Sequence, residues 1–213
     1  MRFQTLLEIV GSEPVFETGL LLAGAVDPED VRRQLSRWTQ TGHLYQLRRG
    51  LYALAPPYQK VKPHPFLVAN RLVHGSYVSL QSALAYYGLI PEHVPRTLSV
   101  TTARPARWDT RLGSYEFHHI KIDWLHGYRL VKMAGDQQAF VATPDKALLD
   151  LIYLQPGGDS PAYLRELRLQ NLDRLDLDTL HQQARLADSA KLDRAAAVIA
   201  SLIQSEELEY ESL

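Results

Sequence analysis

The sequence predicts an α+β fold, and three observations along its 213 residues lead to that prediction. Helical periodicity dominates the first 41 residues and is followed by a hairpin pattern. The stretch APPYQKVKPHP (Ala55–Pro65) places four prolines in eleven residues, which excludes a helix and indicates a linker. Beyond it, alternating strand patterns give way to helical ones. We therefore predict an N-terminal domain over 1–60 and a second α+β domain over 61–213, mixed to about residue 155 and helical afterwards.

Three helices are predicted before the hairpin. Residues 2–10 carry apolar side chains at helical spacing, and a second short helix is predicted over Pro14–Leu22. The third helix runs to about Thr41. Asp27 is suited to be its N-cap, and Pro28 fits the first helical position. Gly42 stands where a left-handed C-cap belongs.

The segment GHLYQLRRGLYAL (42–54) is typical of a hairpin, because two β-prone runs flank Arg48, Arg49 and Gly50. Three helices followed by a hairpin is the order of a winged helix-turn-helix. In that fold the third helix enters the major groove of double-stranded DNA. We therefore predict that the N-terminal domain is a winged helix-turn-helix with a basic wing.

The third helix has two opposed faces. At 100° per residue, Val31, Leu35 and Trp38 form one apolar stripe. The opposite face carries side chains that can reach base edges in the major groove. These predicted base-reading residues are Arg33, Ser36, Arg37 and Gln40.

A second set of basic side chains is predicted to contact the DNA backbone. Its members are Arg32 on the flank of the third helix, Arg48 and Arg49 in the hairpin, and Lys60 and Lys62 in the linker. The net charge of the chain is −1, yet residues 28–62 hold seven basic and two acidic side chains, a net of +5. Residues 156–213 carry a net of −5. This asymmetry indicates a local contact with a polyanion.

Two other interpretations of the basic face stay open at this point. Arginine on the outer face of a helix is ordinary solvation, and a basic turn is common in hairpins. Winged-helix domains also mediate protein contacts, so the protein could instead be a protein-interaction module that does not bind DNA.

The second domain is predicted to mix strands and helices. Ser79–Tyr87 is a predicted helix with Ser79 as N-cap, and Arg104–Gly113 is predicted to be a polar loop. The other predicted helices are 66–73, 143–153, 161–169, 178–187 and 189–203, and the predicted strands are 97–102, 115–122, 128–133 and 137–142.

Asp145, Lys146 and Asp150 form the candidate functional site of the second domain. Asp145 suits the positive end of a helix, and Lys146 and Asp150 are an i, i+4 pair. Asp150 lies in the otherwise apolar run ALLDLIYL, so it needs a partner, for which we predict an arginine from another element. Structural pairing and a functional site both remain open for this cluster.

Enzymatic motifs are lacking in the sequence. No P-loop, G-x-S-x-G or G-x-G-x-x-G occurs, and the histidines show no metal-ligand spacing. The main enzymatic alternative is a DNA-processing enzyme such as a nuclease, but Glu116 and Asp123 are too far apart along a strand to share a metal. We therefore predict no catalytic residues, no metal and no cofactor.

Composition places the chain in the cytoplasm. It has no cysteine, which excludes disulfides and cysteine-liganded metals and fits a reducing compartment. No apolar run approaches the roughly 20 residues that span a bilayer. We expect no signal peptide and no membrane contact.

Three stretches resemble the AbiEi-type antitoxins and viral-defence transcriptional regulators of bacteria. They are GHLYQLRRGLYAL (42–54), SYVSLQSALAYYGLIPEHVP (76–95) and VATPDKALLDLIYL (141–154). The chain departs from the family pattern at Tyr87, where a His is expected, and at Asp145, where Glu is commoner.

The resemblance implies a transcriptional repressor that binds operator repeats near its own promoter. It also implies a type IV antitoxin, which counters a nucleotidyltransferase toxin without forming a stable complex with it. The second domain would then be the antitoxin or regulatory part. With this resemblance, the alternative of an interaction module becomes one that neutralises a toxin without binding DNA.

Overall fold

The computed structural model describes residues 1–23, 26–92 and 94–211, with side chains as far as residue 204. The fold is α+β. N-terminal helices with a small antiparallel sheet come first, a central mixed sheet of six strands follows, and a helical C-terminal region completes the chain. None of the helices in this described part combines the length and the apolar character that crossing a membrane requires.

The N-terminal elements include the predicted first helix, third helix and hairpin, and also a short strand that was not predicted. They are α1 (Phe3–Val10), β1 (Phe16–Glu17), α2 (Thr18–Leu21), α3 (Pro28–Gln40), β2 (Leu44–Arg48) and β3 (Leu51–Leu54). Asp27 caps α3, since its Oδ1 accepts a hydrogen bond from the Glu29 N–H at 2.9 Å. Pro28 is the first residue of the helix, and Gly42 has the left-handed φ expected after it, +75°.

The predicted helix over 14–22 is wrong in its first half. Residues Phe16–Glu17 pair with β3 instead, and Phe16 lies opposite Tyr52. The reason is packing: the neighbouring side chains of Val15 and Phe16 are both buried, but in different hydrophobic clusters. An extended backbone points successive side chains to opposite faces, whereas a helix cannot do so.

The hairpin β2–β3 also lies between two hydrophobic clusters. Tyr52 and Leu54 pack into the N-terminal cluster around α3, while Leu51 and Ala53 pack into the larger cluster around the central sheet. Every residue of β3 is therefore buried. The hairpin is held on both faces of β3, and the division near residue 60 stays a prediction.

The central sheet has the strand order β6-β7-β5-β4-β9-β8. Its strands are β4 (Ser76–Val78), β5 (Arg96–Thr101), β6 (Ala106–Thr110), β7 (Gly113–His119), β8 (Tyr128–Lys132) and β9 (Gln138–Ala142), with α4 (Pro65–Leu72) and α5 (Leu80–Tyr86) packed near them. The pairs β4–β9 and β5–β7 are parallel, and the other pairs are antiparallel.

Strand β6 replaces the polar loop predicted over Arg104–Gly113. It pairs antiparallel with β7, and Arg107 lies opposite Glu116. A strand at the edge of a sheet exposes much of its surface, so it carries no apolar alternation for a sequence pattern to detect. The three-residue strand β4 was also not predicted.

The helical C-terminal region is confirmed. It consists of α6 (Pro144–Leu154), α7 (Pro161–Glu166), α8 (Leu177–Leu186) and α9 (Ala190–Glu211). Leu192 and Ile199 of α9 are buried in the larger cluster together with Leu148 and Ile152 of α6. Three short 3-10 turns lie at Ile122–Trp124, Ala134–Asp136 and Leu172–Arg174.

Candidate nucleic-acid interface

Helix α3 has one buried face and one exposed face. Val31, Leu35 and Trp38 are at most 3% exposed and pack in the N-terminal cluster. The predicted polar side chains are exposed, as is the flanking one: Arg32, Arg33, Ser36, Arg37 and Gln40. The structure therefore confirms which residues of α3 are buried and which are exposed, while the base-reading roles stay predictions.

The exposed face of α3 is weakly engaged by the rest of the protein. Arg33 Nη2 lies 3.6 Å from Asp30 Oδ1, but the Arg33 side chain remains 74% exposed. Asp30 also contacts the amino terminus of Met1 at 2.9 Å, and this contact lowers the pKa of the Asp30 carboxyl. Arg37 and Gln40 make no side-chain hydrogen bond or ion pair with any described residue. This face is therefore available to a ligand.

The two hairpin arginines are placed differently. Arg49 is exposed in the turn. Arg48 is the last residue of β2, and its side chain is 23% exposed. Its guanidinium donates to the backbone carbonyl of Arg71 at 3.2 Å and lies 3.5 Å from Glu17 Oε1.

Glu17, Arg48 and His74 form a polar junction between the N-terminal elements and the central sheet. His74 Nε2 lies 3.0 Å from Glu17 Oε1 and 3.2 Å from Arg48 Nη2. Sequence reasoning missed Glu17, Arg71 and His74, because they lie far apart along the chain and no local pattern marks them. The junction fixes the hairpin against the end of α4.

Lys60 and Lys62 are exposed in the proline-rich segment. This segment is docked on the turn between β8 and β9 through one side chain. Gln137 Nε2 donates to the Lys62 carbonyl at 3.0 Å, and Gln137 Oε1 accepts from the His64 N–H at 2.7 Å. The segment is therefore fixed at its second half.

Lys146 and Asp150 form a fully buried ion pair. Lys146 Nζ lies 2.6 Å from Asp150 Oδ1, and both side chains are 0% exposed. Asp150 Oδ2 accepts hydrogen bonds from the Tyr77 hydroxyl at 3.0 Å and the Ser79 hydroxyl at 2.7 Å. The predicted arginine partner is therefore wrong: the cation comes from the same helix, and β4 and the residue after it supply the neutral donors.

The cavity around Lys146 is filled by protein. Its Nζ lies 3.4 Å from the centre of the Trp124 ring, a cation–π contact that partly replaces water. Burial lowers the pKa of Lys146 to about 8, against the opposing effect of Asp150. Gly127 touches the same side chain, because a Cβ built there would lie 2.9 Å from Lys146 Cγ. Protein groups therefore surround both charges, which are 0% exposed.

Asp145 does not share a site with Lys146 and Asp150. Its Oδ1 accepts a hydrogen bond from the backbone N–H of Asp176 at 2.8 Å. Burial raises the pKa of the Asp145 carboxyl. Asp145 therefore connects α6 to the N-cap of α8, a structural contact. In the part of the chain that the structure describes, no group of three or more His, Cys, Asp or Glu is arranged to hold a metal ion.

Comparisons with known proteins add no relative. No protein-family model matches the chain, and no curated protein matches it. The resemblance to the AbiEi-type regulators therefore stays a prediction that rests on three sequence stretches.

Proposed function

We propose that this protein is a sequence-specific DNA-binding transcriptional repressor whose N-terminal elements form a winged helix-turn-helix. The observation that carries the proposal is the outer face of α3, opposite its buried stripe. There Arg33, Ser36, Arg37 and Gln40 are exposed together. Guanidinium and amide groups are the side chains that bind purine edges in the major groove.

The surroundings of α3 support the same proposal. Arg32 and Arg49 are exposed basic residues suited to phosphate contacts, and the exposed Lys60 and Lys62 extend the basic segment. The contacts of Arg48 with Arg71 and Glu17 support a positioning role for it instead. Because β3 is buried on both faces, Arg49 in the turn is the exposed basic residue of the hairpin that can contact DNA.

We further propose that the repressor is the antitoxin of a type IV toxin–antitoxin system. This part rests on the resemblance of residues 42–54, 76–95 and 141–154 to the AbiEi-type family. Its toxin would be a nucleotidyltransferase, and the two proteins would form no stable complex.

Binding to the DNA upstream of its own gene tests the repressor proposal. Fluorescence anisotropy measures the binding affinity at a series of salt concentrations. The slope of log affinity against log salt concentration follows from the same data. We expect Arg37→Ala to weaken binding by about 1–3 kcal/mol and to relax the preference at the contacted base. The matched control is Arg185→Ala, an exposed arginine on α8. Binding that is insensitive to salt, or an equal loss in both variants, would contradict the proposal.

The hairpin gives a second, distinguishable result. Arg49→Ala should weaken binding to all sequences alike and flatten the salt slope by about one unit, because it removes a phosphate contact. Base preference should stay that of the wild type. If Arg49→Ala and Arg37→Ala behave alike, α3 is not the base-reading element.

Co-expression tests the antitoxin role. The full chain should relieve growth arrest by a nucleotidyltransferase encoded beside its gene. Arg37→Ala should keep this relief while losing repression, since the two activities would use different parts of the chain. Loss of both activities together would tie neutralisation to DNA binding. If neither the wild type nor Arg37→Ala relieves the growth arrest, the antitoxin role is contradicted. The repressor proposal is unaffected by that result.

A further inference from the structure

The two edges of the central sheet differ in chemistry. Edge strand β6 exposes the charged residues Arg107 and Asp109. Edge strand β8 exposes Tyr128 and Leu130, at 39% and 52%, and Phe140 of β9, directly opposite Leu130, is 44% exposed. Tyr128, Leu130 and Phe140 lie on one face of the sheet, because positions two apart and directly opposite share a face. Strand β8 also exposes Arg129 and Lys132, so charge alone does not distinguish the two edges. What distinguishes β8 is the apolar patch that Tyr128 and Leu130 form with Phe140.

The backbone of β8 presents a regular row of outward groups. The Gly127 carbonyl accepts from the Thr143 N–H at 2.9 Å, and the Met133 N–H donates to the Gln137 carbonyl at 2.8 Å. In an antiparallel ladder the bonded positions alternate, so the odd-numbered residues between these bonds face β9. The N–H and C=O groups of Tyr128, Leu130 and Lys132 therefore point away from the sheet.

An independent contact confirms this register. Phe140 lies opposite Leu130, so its own backbone must point away from β8, towards the other side of β9. The Asn70 amide bonds there: Asn70 Oδ1 accepts from the Phe140 N–H at 2.6 Å, and Asn70 Nδ2 donates to its carbonyl at 3.4 Å. For β8, no described residue supplies a comparable partner.

We propose that β8 pairs antiparallel with β8 of a second copy of this chain, about a twofold axis at Leu130. The three outward residues are centred on Leu130, so self-pairing matches each outward N–H with a carbonyl. Tyr128 then faces Lys132 of the other copy, and Arg129 faces Val131. No like charges are directly opposite, which is the arrangement that antiparallel pairs need.

The apolar patch extends across the same axis. Side chains directly opposite one another share a face, so Leu130 of both copies meet, flanked by Tyr128 and Phe140 of each. The two central sheets become one continuous sheet. An isologous twofold contact of this kind is the commonest symmetry among homo-oligomers.

Sedimentation velocity of the full chain without DNA tests the proposal over a wide concentration range. Wild type should show a monomer–dimer equilibrium. Leu130→Glu places two carboxylates face to face and removes the central apolar contact, so it should weaken dimerisation about tenfold or more. The matched control is Leu186→Glu on α8, where the leucine is 68% exposed. A wild type that stays monomeric throughout, or an equal effect of both variants, overturns the proposal.

The absence of cysteine allows a direct test of register. In Leu130→Cys the two thiols face each other across the axis, at a Cα separation of about 5.5 Å that a disulfide can span. In Lys132→Cys they are separated by four residues along the strands, roughly 14 Å. Oxidation should therefore cross-link the first variant and not the second. Cross-linking of both to the same extent would contradict this pairing, as would a Leu130→Glu dimer as stable as that of the wild type. Neither result depends on whether the protein binds DNA.

Discussion

The arginine of the charged pair on α3 is largely exposed to solvent, whereas the charged pair on α6 is fully buried. Arg33 on α3 is 74% exposed and lies 3.6 Å from its acidic neighbour. Lys146 and Asp150 on α6 are 0% exposed and 2.6 Å apart. Water solvates the first pair and leaves its arginine available to a partner. Bulk solvent does not reach the second pair, so the protein itself must satisfy every charge, and any change there acts on stability.

Removing one member of the buried pair should have the largest effect. Asp150→Ala leaves the Lys146 ammonium and the Tyr77 and Ser79 hydroxyls without their acceptor. We expect it to lower the free energy of unfolding by about 3–5 kcal/mol. Urea unfolding followed by circular dichroism measures this loss.

A double variant separates the charge from the packing. Lys146→Met with Asp150→Leu replaces both ions by apolar side chains of comparable size, so no charge remains buried. It should therefore unfold at higher urea concentration than Asp150→Ala. If the double variant is the less stable of the two, the attraction between Lys146 and Asp150 stabilises the fold by more than the burial of the two charges costs.

Gly127 tests how tightly the buried lysine is packed. Its φ is +71°, and an added Cβ would lie 2.9 Å from Lys146 Cγ. We expect Gly127→Ala to cost about 1–3 kcal/mol from overpacking, in addition to backbone strain. Gly157 is the matched control, because it has a similar φ of +67° and nothing within 4 Å of its added Cβ. Equal losses in both alanine variants would show that strain alone is responsible.

The stability of the protein should rise with pH where Lys146 titrates. Burial lowers the pKa of folded Lys146 to about 8, below its ordinary value of 10.5. Between these values the unfolded chain binds more protons than the folded one, so the free energy of unfolding increases with pH. Comparing wild type with the double variant Lys146→Met and Asp150→Leu between pH 8 and 10 isolates this contribution, because neither charge remains buried in that variant. A pH dependence that is identical in both proteins would contradict it.

The sequence predicts the exposed helix α3 better than the buried cluster on α6. The α3 stripe of Val31, Leu35 and Trp38 was predicted because helical burial is a local, periodic property. The i, i+4 pairing of Lys146 with Asp150 is also local, and it was predicted. The hydroxyl partners of Asp150 were not, since Tyr77 and Ser79 lie more than 70 residues away along the chain. Their contact depends on how β4 packs against α6, and that arrangement leaves no periodic signal.

The edge strand β6 and the contacts of Arg48 were not predicted for a related reason. Strand β6 pairs on one side only, with β7, so its sequence shows polar residues where a central strand would show apolar ones. Arg48 was grouped with Arg49 because they are neighbours in sequence. The contacts of Arg48 with Glu17, His74 and the Arg71 carbonyl distinguish the two arginines, and tertiary structure determines these contacts.

The smallest effect on stability is expected at the exposed pair. Arg33→Ala removes a contact of 3.6 Å whose arginine is largely in water, and screening leaves such pairs little net energy. We expect no resolvable change in the urea midpoint, in contrast to Asp150→Ala. The same variant should weaken binding to upstream DNA and relax its base preference, as proposed for Arg37. If Arg33→Ala instead destabilises the fold measurably, its pairing with Asp30 supports α3 structurally. The outer face of that helix would then not be free for DNA.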